Sequence, residues 1–176
     1  MYTSYWRLAS LFARPTPLRY PLAYPDANDE FYGYLRRPLR LPDGREVMCT
    51  RDLLRATGWA ATALLALRAG VYVAAKRDCQ NLYRQYIGDE WADLLTELYA
   101  SCAQRWRYRI PEEPEEREQL RSLCAATLAF ENHFLLVCRA YLLAELCSDT
   151  TERRQAAALT LARLPFADDE IAGALT

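Results

Sequence analysis

Chemistry-bearing residues are scarce in this chain. Its 176 residues include one histidine, His133, and one lysine, Lys76. With a single imidazole, every Ser–His or Cys–His pair must use His133. None of the six cysteines (Cys49, Cys79, Cys102, Cys124, Cys138, Cys147) stands in a CxxC pair, so the zinc-ribbon and thioredoxin-type spacings are excluded. The six glycines form no G-x-G-x-x-G, P-loop or G-x-S-x-G stretch, which removes the common phosphate cradles and the serine-hydrolase elbow. No strong membrane span stands out. The best run, 57–75, carries Arg68 and Gly70 and reads as a buried helix. Residues 1–14 lack the apolar core of a signal peptide, so the cysteines are expected to be reduced core thiols in a cytoplasmic protein. These absences lead us to expect a non-catalytic chain with no cofactor, no metal and no membrane span.

What is present suffices for a core. The chain is 52% hydrophobic and 26% charged, and its length suits one domain. Twenty-one of the 22 basic residues are arginine, a bias that GC-rich coding produces. Charge is divided unevenly. Residues 1–87 hold 13 basic and 7 acidic side chains, net +6, whereas 88–176 hold 9 and 16, net −7. Such polarity orients partners or pairs internally.

Six of the nine prolines and nine of the 21 aromatics lie in residues 1–42. Prolines forbid a long helix there, so this stretch is expected to be an extended arm packed on a helical body, 43–176, and to matter more for association than for folding. Leu41, Pro42, Asp43, Gly44 and Arg45 spell a tight turn between short strands at 34–41 and 45–49. Helical signals follow. A short helix is expected from Thr50 or Asp52 to Gly58, a second over 60–86 with a bend at Gly70, and a third from Asp89. In the third, Trp91, Leu94, Leu95, Leu98, Cys102 and Trp106 share one face. Glu112, Glu113, Glu115 and Glu116 load the start of a fourth, which runs to about Cys147. A fifth is expected over 151–164. The fold class is therefore all-α: about five helices, an N-terminal arm and one small β-hairpin.

Four constellations bear on function. Cys124, His133, Cys138 and Cys147 cluster in sequence, but helical geometry sends His133 and Cys147 to the far side of Cys124 and Cys138, so no tetrahedral site forms. His133 is expected to be exposed or partner-facing. Glu131 falls at the centre of the stripe made by Leu120, Leu123, Cys124, Thr127, Phe134, Leu135, Cys138 and Tyr141. A carboxylate there must be paired or protonated. Arg68, itself in an apolar helix, is the expected partner in a buried ion pair, and Glu145 is the nearest second carboxylate on that face.

Residues 50–64, from Thr50 and Asp52 through Gly58 and Trp59 to Leu64, resemble the front of a helix-turn-helix of the MerR or excisionase type. That resemblance implies a small helix, a Gly-apolar turn and a groove-reading helix that ends near Gly70. The second helix, however, presents Ala60, Ala61, Ala63, Leu64 and Ala66 where base edges would need Arg, Asn, Gln or Ser. In the arm, Arg7, Arg19, Arg36, Arg37 and Arg40 alternate with Tyr5, Trp6, Tyr20, Tyr24, Phe31, Tyr32 and Tyr34. Arginine and aromatics together anchor protein interfaces and also hold single-stranded nucleic acid. The leading expectation is a protein–protein interaction module, a small helical subunit or adaptor with a protein partner or a second copy. The alternative is a nucleic-acid-associated protein. An enzyme using Glu131 ranks last.

Overall fold

The structure, a computed structural model, describes residues 30–35, 38–74 and 78–162. Strands β1 (Pro38–Arg40) and β2 (Glu46–Met48) form an antiparallel hairpin, pairing Pro38 with Met48, Leu39 with Val47 and Arg40 with Glu46. Five helices follow: α1 (Arg51–Leu64), α2 (Cys79–Tyr86), α3 (Trp91–Leu98), α4 (Pro114–Leu146) and α5 (Thr151–Leu161). Two of them continue as π-helix, α1 through Leu65–Ala69 and α3 through Tyr99–Arg105. The all-α class, the five helices and the single hairpin match the expectation.

The hairpin turn forms where the sequence places it. Gly44 takes φ +84°, its N–H donates to Leu41 O at 2.9 Å, and Leu41 N–H donates to Arg45 O at 2.8 Å. Only glycine adopts that φ without strain.

The helical layout between Thr50 and Tyr86 differs from the expected one. The first helix does not stop at Gly58. It runs on, and the true break is Gly70, at φ +66°, where the N–H groups of Gly70 and Val71 both cap Leu65 O. Gly58 is tolerated inside the helix because α1 gains its stability from burying Leu53, Ala56, Ala60, Ala61, Ala63 and Leu64. Tertiary packing overrides the local breaker. With one continuous helix over 51–69, there is no turn between two short helices, and the helix-turn-helix is absent. Nothing lies within 4 Å of a Cβ built on Gly58. Gly58→Ala is therefore expected to stabilise the protein by about 0.5–1 kcal/mol, read as a raised thermal midpoint. A loss of stability would restore Gly58 as a helix end.

Helix α4 is the axis of the bundle, lying along α1 and α5 and touching α3. Pro114 suits its first turn, where an N–H would be unpaired anyway, and Glu115 and Glu116 favour the positive end of the helix. Its inner face buries Leu120, Leu123, Cys124, Phe130, Phe134, Leu135, Cys138 and Leu142. The expected face of α3 is also found: Leu94, Leu95, Leu98, Cys102 and Trp106 are buried, and Trp91 packs beside them. By length and composition alone α4 is apolar enough to cross a membrane, a feature that the attention to 57–75 overlooked. Its buried inner face and its two buried carboxylates, Glu131 and Glu145, fit a core helix better.

Residues 30–35 are a compact turn, not an extended arm. Phe31 and Leu35 enter the main core, with Tyr32 and Tyr34 packed against it. Glu30 ties this turn to α4, accepting from Arg117 Nε at 2.8 Å and from Arg121 at 3.2 Å. The Arg117 guanidinium lies 5.0 Å over the Phe31 ring. The arginines beside Glu30 hold its carboxyl below the usual range.

Candidate functional site

Glu131 sits mid-way along α4 with 9% exposure, buried as expected. Its partner is not the expected one. Tyr34 reaches in from the 30–35 turn, and its phenol O–H donates to Glu131 Oε2. Burial, and then the neighbouring carboxylate, pushes the Tyr34 phenol far above its ordinary range, so it stays protonated and remains a donor. Arg68 lies elsewhere. The π-helical turn carries it to the end of the α1 extension, where it pairs with Asp89 Oδ2 at 2.7 Å. Tyr83 Oη donates to the same oxygen at 3.3 Å, and Asp89 Oδ1 accepts Trp91 N–H at 3.2 Å, starting α3. The Arg68–Asp89 pair thus pins the end of α1 to the start of α3.

Glu145 is also buried, but Arg153 clamps it with two bonds, from Nε at 2.7 Å and Nη2 at 2.5 Å. This is a bidentate strut between α4 and α5. Fourteen residues of helix separate Glu131 from Glu145, about 21 Å along the axis. Carboxylate pairs that share acid–base work stand about 5–10 Å apart, so these two do not form one.

His133 is half-buried, its ring 5.7 Å from that of Trp91, rather than fully exposed. Trp91 in turn lies 5.4 Å from Phe130, and Tyr83 5.9 Å from Phe130 on another side. The histidine is part of an aromatic wall. All six cysteines are free thiols. Five are buried and Cys147 is exposed. Burial pushes Cys102 and Cys138 up to about 12, the reverse of an activated nucleophile. Among the described residues no three His, Cys, Asp or Glu side chains are placed to hold a metal ion.

Of the expected arm anchors, Tyr5, Trp6, Arg7, Arg19, Tyr20, Tyr24, Arg36 and Arg37 lie outside the described residues. Phe31 and Tyr34 turn inward to this chain's own core, and Tyr32, at φ +54°, packs against it. Phe31 is buried there, whereas Tyr32 and Tyr34 are half-buried. Arg40 ends β1 in an exposed position.

A different surface carries the unexplained apolar area. On the outer side of α4, Ser122, Leu136, Ala140, Ala144 and Cys147 are exposed, while Ala126, Ala129, His133 and Leu143 border them half-buried, Ala126 and Leu143 packed against the core and His133 beside Trp91. Leu136 is 49% exposed. Between Ser122 and Cys147 the helix carries three charged residues: Glu131 and Glu145, both buried, and Arg139 at the flank. An outward helix face is ordinarily charged or polar. The residues Ala126, Ala129, His133, Leu136, Ala140, Leu143 and Cys147 recur at alternating steps of three and four, the spacing of a helix-packing seam. Sequence reasoning centred on the inner stripe and passed over this outer one, although the near-absence of charge over 122–147 was readable.

Fold and site together define an all-α domain with a structural polar interior and an apolar outer seam on its central helix. The chain matches no protein-family model, no curated protein and no solved structure.

Proposed function

We propose that this protein is a non-catalytic protein–protein interaction module that takes a helix of its partner, whether another protein or a second copy, along the outer face of α4. The observation that carries this reading is the uncharged outer seam from Ser122 to Cys147, with Leu136 half exposed at its centre. An apolar helix face left in water favours being covered, and a partner helix at seam spacing covers it best. The structural pairing of the charged groups Glu131, Glu145 and Asp89 supports a non-catalytic role. Tyr34 holds Glu131, Arg153 holds Glu145, and Arg68 holds Asp89.

The test uses a surface substitution. Leu136→Arg removes little internal packing, so its stability should stay within about 0.5 kcal/mol of the parent. It places a charge at the centre of the seam, where association should fail. Sedimentation of the purified chain, alone and with proteins that co-purify with it, reads the association. Unchanged association in Leu136→Arg counts against the seam.

A further inference from the structure

The segment that ends the α3 extension alternates arginine with aromatics: Arg105, Trp106, Arg107, Tyr108, Arg109. Trp106 is buried and anchors the segment, while Arg105, Arg107 and Arg109 are exposed. Backbone bonds fix its shape. Trp106 N–H donates to Ser101 O at 2.8 Å, Tyr108 N–H to Cys102 O at 2.7 Å, and Arg109 N–H to Trp106 O at 2.8 Å. Arg107 and Tyr108 hold φ of +48° and +66°, a left-handed conformation that L side chains rarely adopt. Tyr108 O accepts Thr50 N–H at 2.9 Å, which seats the turn against the start of α1. There the Arg51 guanidinium lies 5.5 Å over the Tyr108 ring.

Arg51 thus lies over the Tyr108 ring, and the exposed Arg107 and Arg109 flank Tyr108 along the chain. None of the three has a carboxylate within ion-pair distance among the described residues. Asp52, the acid nearest to Arg51 in sequence, is paired with Arg55. Arg105 donates instead to Gln119 Oε1 at 2.9 Å. Glu112 and Glu113, both exposed, follow closely in sequence.

We propose that the turn of Arg51, Arg107 and Arg109 around Tyr108 binds the phosphate backbone of a single-stranded nucleic acid. The guanidinium fork matches phosphate oxygens two at a time, and its plane offers a stacking surface to an unpaired base. An acidic peptide satisfies the fork but has no use for the stacking surfaces. Three cations suit two or three successive phosphates, too few for a duplex footprint. The backbone bonds hold the turn in place, so little ordering opposes binding. These residues are separate from the α4 seam, and the two readings stand or fall independently.

The test is fluorescence anisotropy of a labelled eight-nucleotide oligouridylate with the full chain, from about 50 to about 200 mM salt. Binding is expected with a log–log salt slope of about −2, since each single-strand phosphate contributes about −0.7. Arg107→Gly relieves the left-handed backbone, so its thermal midpoint should not fall, yet its affinity should drop about tenfold. Adding Arg51→Gln should weaken binding further, while Arg154→Ala, exposed on α5, should leave it unchanged. Four outcomes would overturn the proposal: no binding at low salt, unchanged affinity in the Arg107→Gly/Arg51→Gln variant, equal loss in Arg154→Ala, or equal binding of an octaglutamate peptide.

Discussion

A chain that begins at Leu39 is expected to lose its cooperative thermal transition, even though the five helices among the described residues all lie beyond that point. The missing part includes the 30–35 turn, whose Phe31 and Leu35 fill the main core beside α4. Replacing a buried phenylalanine with alanine costs about 3–5 kcal/mol and a buried leucine about 2–5. A domain of this size is stable by only about 5–15 kcal/mol. Removing both, together with the Tyr34 donor and the Glu30 tether to Arg117 and Arg121, takes most of that margin. Phe31→Ala in the full chain is the milder version, with an expected loss of about 3–5 kcal/mol by denaturant melts. Calorimetry of the truncated chain reads the larger effect. A single sharp transition at the full-length midpoint would return this segment to a role in association alone.

The second large effect separates the actual partner of Glu131 from the one expected. Tyr34→Phe keeps the ring but removes the donor from a buried carboxylate, at a cost of about 1.5–3 kcal/mol near neutral pH. Arg68→Met breaks a partly exposed pair with Asp89 and should cost about 1 kcal/mol or less. The two variants also differ in alkali. The native Tyr34 keeps its proton above pH 10, where the unfolded chain begins to lose it. A phenol whose folded pKa is raised contributes stability that is fully present below the unfolded value and is lost as pH climbs past it, by about 1.4 kcal/mol per unit. Cys102 and Cys138, pushed up to about 12, start the same decline nearer pH 9. Tyr34→Phe removes one of these protons. Its deficit relative to the parent should therefore shrink above pH 10, while the Arg68→Met deficit should not follow that course. Urea melts at pH 7, 10 and 11 measure both. A Tyr34→Phe deficit that stays constant to pH 11 would remove the phenol from this role.

Local periodicity made the later helices legible. The stripes of α3 and α4, the break before Pro114 and the hairpin turn at Gly44 each rest on a signal a few residues long. The misread parts depend on contacts distant in sequence. Gly58 looks like a helix end until the buried alanines around it are placed against α4. Arg68 looks like an interior cation until Asp89, 21 residues on, is placed beside it. Phe31 and Tyr34 look like interface anchors because nothing within the first 42 residues reveals that their pocket lies on α4, about a hundred residues on. The burial of Glu131 was legible from the stripe alone, but its partner was not. The arginine–aromatic alternation over 105–109 was also in plain sight, yet it reads as the frayed end of a helix until the backbone shows a fixed turn.

The most direct test of the outer seam is site-specific photocrosslinking in cells that express the native chain. A photoreactive residue at Leu136 or Ala140 should give one discrete adduct, of a second copy or of a single partner. The same residue at Glu97 or Arg84, exposed on α3 and α2, should give none. The adduct should disappear when Leu143→Arg is added to the seam. If Leu136 and Ala140 yield no adduct, or the control positions yield the same one, the face of α4 is not where this protein meets a partner.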